Sequence, residues 1–157
     1  MEEILKENFI ESIKSAQKAI YSGCVFAILL FVFAKSKKIE EFQLPEIGIS
    51  VKGELGLLLV FLAYMAAGSM LIFFLSRANK NLKLINNIEI RRALTAFPSF
   101  ACGGWYTRIP ACALPISMFG VAMQEAFSGN LLVIVFMVFV FSSPYLAAMS
   151  MASEIKA

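Results

Sequence analysis

The chain has 157 residues, of which 59% are hydrophobic, and its formal net charge is +3. It contains neither histidine nor aspartate, which excludes the usual metal ligands, the commonest proton shuttle and a Ser-His-Asp triad. Its three cysteines, Cys24, Cys102 and Cys112, form no CxxC pair, so we interpret them as small buried hydrophobic residues. We therefore expect neither an enzyme nor a metal or cofactor site.

Four charge-poor blocks follow one another along the chain. They are bracketed by Lys18 and Lys35, Glu54 and Arg77, Arg108 and Glu125, and Glu125 and Glu154. Because the hydrocarbon core of a bilayer needs roughly 17–25 apolar residues of helix, these blocks predict a single all-α membrane domain with four transmembrane helices. The predicted spans are residues 16–34, 55–76, 109–127 and 131–152.

The first predicted helix, residues 4–34, begins before the membrane. Apolar residues recur at spacings of three and four over its first half, which predicts an amphipathic cytoplasmic helix over residues 1–18. These residues are Leu5, Phe9, Ile13, Ala16 and Ile20. Lys18 can extend its ammonium group to the headgroups while its stem stays in apolar surroundings.

The outer loop, residues 35–54, alternates apolar and polar residues on either side of Pro45-Glu46. A period of two predicts short strands, and the proline predicts a turn between them. We therefore expect a small β-like hairpin at the outer face.

The second predicted span carries small residues in its later half, which permit close approach of helices. They are Ala63, Ala66, Ala67, Gly68 and Ser69. Beyond the membrane, an apolar stripe of Leu75, Ala78, Leu82 and Ile85 continues the helical pattern. This extension emerges on the same side as the amphipathic helix, so we expect the two to pack as an antiparallel pair.

The segment 88–107 is irregular because it contains Pro98, Gly103 and Gly104, and we interpret it as interfacial or re-entrant. An interfacial aromatic belt with a cationic anchor is predicted at its end, by Trp105, Tyr106 and Arg108. The third span is expected to start near Ile109. A tight turn at residues 128–130 should then lead into the last span.

The basic residues predict the orientation. If both termini and the segment 77–108 are cytoplasmic, the inside carries ten Lys and Arg residues, at positions 6, 14, 18, 77, 80, 83, 91, 92, 108 and 156. The outside then carries four, at positions 35, 37, 38 and 52. The positive-inside rule therefore favours both termini in the cytoplasm, and we expect a bacterial cytoplasmic membrane.

The third predicted span has a small and polar stripe at helical spacing, formed by Ala113, Ser117, Gly120 and Gln124. Polar groups are costly against lipid, so this stripe predicts either the lining of a pore or a seam for helix packing. Two prolines, Pro115 and Pro144, are candidate hinges for gating, and a static kink is the alternative.

Two sets of charged residues complete the candidate sites. Glu125 is either a carboxylate at the outer mouth of a cation pore or an interfacial group that is solvated or paired with Lys35, Lys37 or Lys38. The cytoplasmic basic residues are candidates for contact with lipid or a partner, although positive-inside placement alone accounts for them. They are Arg77, Lys80, Lys83, Arg91 and Arg92. Nucleic-acid binding is not indicated.

Two functions follow from these features. The first is a homo-oligomeric channel or pore-forming effector that is gated through its cytoplasmic helical extensions. The second is a non-conducting membrane sensor or scaffold subunit that docks a cytoplasmic partner through its basic loop. The expected partners are the lipid bilayer, further copies of the chain, and a cytoplasmic protein or small-molecule signal.

Overall fold

The computed structural model describes residues 2–35, 41–44, 49–127 and 130–155. Six helices account for most of this part of the chain, and two short strands lie between the first two helices. The elements are α1 (Glu2–Lys35), β1 (Glu41–Leu44), β2 (Ile49–Lys52), α2 (Gly53–Lys83), α3 (Ile88–Thr95), α4 (Trp105–Ala126), α5 (Leu131–Phe141) and α6 (Ser143–Ser153). Three helices, α1, α2 and α4, are long and apolar enough to cross a membrane, and α5 with α6 makes a fourth if the bent pair is one span.

Helices α1 and α2 pack against each other along the predicted apolar stripes. Phe9, Ile13 and Ala16 of α1 are fully buried, as are Leu75 and Ala78 of α2. The charged residues of the same segments lie on the exposed faces. The structure thus confirms that the two helical extensions form a packed pair.

The strands β1 and β2 pair in antiparallel fashion, with Glu41 opposite Lys52 and Leu44 opposite Ile49. The predicted turn at Pro45-Glu46 lies outside the described residues. Helix α2 begins at Gly53, directly after β2.

The segment that was expected to be interfacial or re-entrant contains the short helix α3. The side chain of Asn87 caps this helix by accepting from the backbone N–H groups of Glu89 and Ile90, at 2.9 and 3.3 Å. Helix α4 then begins at Trp105, four residues before the predicted start. The start lies there because the carbonyl of Gly104 accepts the backbone N–H groups of Thr107 and Arg108.

The last predicted span is two helices rather than one, with a bend of 47° between α5 and α6. Asn130 caps α5 by accepting from the N–H groups of Leu132 and Val133. The break falls at Ser142, because Pro144 has no N–H for the carbonyl of Val140. The hydroxyl of Ser143 donates to that carbonyl instead, at 2.7 Å.

Helices α4 and α6 complete the bundle: α4 packs on α1, and α6 packs on both α2 and α4. One end of this bundle gathers the start of α1, the end of α2, α3 and the end of α6, and we call it the basic end. Arg77 donates to Asn8 Oδ1 there at 3.3 Å, and Asn79 donates to Glu154 at 2.9 Å. Helix α5 is peripheral, and most of its large apolar side chains are exposed.

Candidate functional site

The predicted polar stripe lies on the outer surface of the bundle. Ala113, Ser117 and Gln124 are exposed, whereas the face of α4 that is turned inward carries Cys112 and Phe119. The Ser117 hydroxyl donates to the carbonyl of Leu114 within its own helix, at 2.9 Å. Within the described part of one protomer, three of the four positions of this stripe are therefore exposed.

Gly120 differs from the other positions of the stripe because it is turned toward α5. A Cβ at this position would lie 3.7 Å from Val138 Cγ2, which is ordinary van der Waals contact. Glu125 is exposed near the end of α4. Of its proposed cationic partners, Lys35 lies over the ring of Phe31 at 5.7 Å, and Lys37 and Lys38 lie outside the described residues.

The interior of the bundle is occupied by a junction of aromatic rings and hydroxyl groups. Tyr64, Phe119, Ser142 and Tyr145 are all fully buried there. The rings of Tyr64 and Phe119 stack with centroids 4.6 Å apart and an interplanar angle of 8°, and the ring of Tyr145 lies 5.0 Å from that of Tyr64. These side chains join α2, α4 and the α5–α6 break.

Hydrogen bonds fix this junction. The hydroxyls of Tyr64 and Ser142 are 2.9 Å apart, and either can donate. Tyr64 Oη also lies 3.4 Å from the carbonyl oxygen of Pro115. Tyr145 Oη donates to the carbonyl of Tyr64 at 3.0 Å. Each hydroxyl thus has a partner, as a polar group buried among apolar helices requires.

Two glycines make room for Tyr145. A Cβ on Gly23 of α1 would overlap Tyr145 Oη, and a Cβ on Gly68 of α2 would lie 2.9 Å from both Pro144 Cβ and Tyr145 Cε2. Such approaches are closer than real Cβ atoms adopt. The glycines therefore let α6 approach α1 and α2 closely at the junction.

The two candidate hinges have different surroundings. Helix α4 continues through Pro115, which is buried against the junction. Pro144 lies at the start of α6, immediately after the bend. Only the second proline therefore coincides with a break in a helix.

The candidate lipid or partner contacts lie at the basic end. Lys80, Lys83 and Arg92 are exposed, and none of them forms an ion pair with a described carboxylate. Arg91 is only partly exposed, and its Nε atom is buried without a hydrogen-bond partner. The exposed cations are thus free to meet an external anion, while Arg91 is partly embedded in the protein.

The predicted belt residues lie at the start of α4. Trp105 and Tyr106 are 73% and 67% exposed, and their rings meet edge to face with centroids 6.4 Å apart. Arg108 Nε donates to the carbonyl of Ala101 at 3.1 Å. The guanidinium therefore ties α4 to the segment that precedes it, while the two rings remain outside the bundle.

A cavity of about 550 Å³ lies between α1 and the segment 95–107. Its lining includes Gln17, Tyr21, Ser99 and Cys102 and carries no charged side chain. Burial raises the pKa of the Cys102 thiol, and the opposing effects of the hydrogen bond with Ser99 and the charge of Arg108 are smaller. Among the described residues, no cluster of three or more His, Cys, Asp or Glu side chains could hold a metal ion.

The junction of Tyr64, Ser142 and Tyr145 was not predicted from the sequence. The available signal was Gly23 and Gly68 inside helices, where glycine costs about 1 kcal/mol relative to alanine and therefore indicates close packing. A tyrosine in each facing span was the second signal, because a buried Tyr hydroxyl needs a partner.

Comparison with protein-family models, curated proteins and solved structures gave no match. The long apolar helices are compatible with a membrane protein.

Proposed function

We propose that the protein is a homo-oligomeric membrane channel with four spans per protomer and both termini in the cytoplasm. In this arrangement α1, α2 and α4 are the first three spans, and the bent pair α5–α6 is the fourth. The basic end then faces the cytoplasm, in agreement with the positive-inside rule. The exposed rings of Trp105 and Tyr106 lie at the cytoplasmic interface.

The observation that carries the proposal is the outward position of Gln124 on α4, on the face that also carries Ser117. A carboxamide against lipid is costly unless it meets water or another protein group. The described interior is closed by Tyr64, Phe119 and Tyr145, so a conduit has to lie between protomers. A ring of protomers that turns this face of α4 toward a common axis gives the polar groups water and forms the conduit.

The cytoplasmic extensions supply a route for gating. Helices α1 and α2 are 34 and 31 residues long, and each runs without a break from the basic end into the bundle. The contacts of Arg77 with Asn8 and of Asn79 with Glu154 link α1, α2 and α6 at that end. A signal that moves the extensions therefore acts on three spans at once.

Conductance of the purified full chain in planar bilayers tests the proposal. The expected result is discrete current steps in the wild type, with Ser117→Leu and Gln124→Leu each changing the single-channel conductance several-fold. Ser69→Leu is the matched control, because Ser69 is an exposed hydroxyl on α2 that bonds within its own helix. A bilayer that stays silent, or a monomer in native mass spectrometry, would contradict the channel.

A second function, a subunit that docks an acidic cytoplasmic partner, is favoured by the unpaired cations Lys80, Lys83 and Arg92. This function predicts that a soluble protein co-purifies with the wild type and that Arg92→Glu abolishes this co-purification. It also predicts that the purified chain passes no current in planar bilayers. Lys6→Glu provides the control, because Lys6 is an exposed cation on α1. Arg91 is not substituted in this experiment. Its guanidinium is partly buried, so a charge reversal there would test folding rather than docking.

A further inference from the structure

A groove of about 460 Å³ lies between α1 and α2, and its depth in the bilayer follows from the membrane placement proposed above. Small side chains form most of its walls, including Ala19 and Ser22 from α1 and Ala63, Ala66 and Ala67 from α2. No carboxylate lines it, and Lys18 is its only charged lining residue.

The groove is about as long as one leaflet of a bilayer is deep. Its α1 wall runs from Ser15 to Phe26, which is about 17 Å of helix at 1.5 Å per residue. Half of a hydrocarbon core of about 30 Å is about 15 Å. Since Lys18 lies near the basic end of this wall, the groove extends from the cytoplasmic headgroups to about the middle of the membrane.

The charge at its mouth selects the headgroup. Lys18 is exposed and forms no ion pair with a described carboxylate, and Lys14 lies one helical turn farther from the membrane. Glu11 lies on the same face of α1, but it is seven residues, or about 10 Å, beyond Lys18. The nearest charges at headgroup depth on this wall are therefore positive.

We propose that this groove binds an anionic phospholipid of the cytoplasmic leaflet. One acyl chain lies along the alanines between α1 and α2, and the phosphate group meets the ammonium group of Lys18. The Ser15 hydroxyl, which lines the groove at the same end, is a second donor for the headgroup. Because the lipid contacts both cytoplasmic extensions where they enter the membrane, it stabilises their packed arrangement.

The length of the groove and the charge at its mouth favour a phospholipid over a helix from a second copy as the occupant, because Lys18 offers a partner for a phosphate group and no carboxylate lines the groove to compete for it.

Native mass spectrometry of the full chain, released from detergent with equal amounts of phosphatidylglycerol and phosphatidylcholine, tests this proposal. The wild type is expected to retain one phosphatidylglycerol per protomer preferentially. Lys18→Ser should lower that preference about fivefold, the scale of one basic residue at an anionic surface. Lys6→Ser should leave it unchanged, because Lys6 is an exposed lysine outside the groove.

A second variant tests the acyl-chain part of the groove. Ala66→Phe should reduce retention of both lipids, and Leu58→Phe should not, because Leu58 is an exposed residue of α2 outside the groove. Equal retention of the two lipids by the wild type would overturn the headgroup assignment. Loss of oligomers in Ala66→Phe with unchanged lipid retention would show a second copy in the groove.

These readouts are masses and do not depend on conduction. A protein that retains phosphatidylglycerol through Lys18 but passes no current would refute the channel alone. A conducting protein without lipid preference would refute the lipid site alone.

Discussion

At the scale of single residues, the hydroxyls of Tyr64 and Tyr145 hold the bundle together at a point where three helical elements meet. Tyr64 reaches Ser142 across the break between α5 and α6, and Tyr145 reaches back to the backbone of Tyr64. Because these groups have no water to replace a lost partner, the hydrogen bonds fix the position of α6 against α2 rather than merely adding to its stability.

Tyr64→Phe removes one of these hydroxyls without changing the stacked ring. We expect this variant to lose about 1 kcal/mol of unfolding free energy, the scale of an interhelical hydrogen bond in a membrane protein, because Ser142 Oγ remains buried without its partner. The measurement is reversible unfolding of the full chain in mixed detergent micelles.

Tyr21→Phe is the control for this measurement, because Tyr21 is 68% exposed and has no described hydrogen-bond partner. It should leave the unfolding free energy within about 0.5 kcal/mol of the wild type. If Tyr64→Phe and Tyr21→Phe had the same small effect, the junction would not contribute to the stability of the bundle.

The contacts of this junction could not be predicted from the sequence. The pair Tyr64–Ser142 is separated by 78 residues and the pair Tyr145–Tyr64 by 81, so no local pattern indicates that they meet. The sequence likewise did not determine that Ser117 and Gln124 face outward. Helical spacing places residues on one face, but it does not specify whether that face meets a neighbour or lipid.

At the scale of elements, the helical spacing of apolar residues predicted the packing better than it did at the scale of single residues. The apolar stripes of the two extensions predicted the packing of α1 on α2, because burial of an amphipathic face is the main source of stability for such helices. The break in the last span was predicted only as a bend at Pro144. Its position at Ser142 follows from Pro144 and from the local bond of Ser143 with Val140, and the contact of Ser142 with Tyr64 adds a tertiary constraint that no local pattern indicates.

The extensions offer a matched pair of substitutions. Leu82 is 1% exposed and Leu84 is 55% exposed, two residues apart at the basic end. Leu82→Ala should destabilise the packed extensions by about 2–5 kcal/mol, because it removes buried volume and leaves a cavity. Hydrogen exchange of the amides in residues 2–17 should become faster accordingly.

Leu84→Ala should leave the same exchange rates close to those of the wild type, since its side chain is mostly in solvent. Equal acceleration in both variants would mean that the extensions do not pack in solution as they do in the structure. Unchanged exchange in Leu82→Ala would also contradict the proposal that the extensions are a stable unit that transmits a signal.

At the scale of the whole molecule, the fold brings together the segments of the sequence that are rich in basic residues. The fold brings the start of α1, the end of α2, α3 and the end of α6 to one end, and these are the segments that hold most of the Lys and Arg residues. An odd number of spans would separate the termini across the membrane. If the bent pair α5–α6 is one span, the proposed four spans place both termini on one side of the membrane, and the contact of Asn79 with Glu154 at the basic end agrees with this proposal.

The proposed orientation can be tested by cysteine labelling in intact cells. In a Cys102→Ser background, a membrane-impermeant maleimide should label Glu125→Cys from outside and should label Lys80→Cys only after lysis. Glu125 and Lys80 are both exposed, so a difference in labelling reports the side of the membrane rather than burial. The remaining native thiols, Cys24 and Cys112, are buried and should contribute little signal. Labelling of Lys80→Cys in intact cells would reverse the orientation and would place the basic end, the groove beside Lys18 and the extensions outside the cytoplasm.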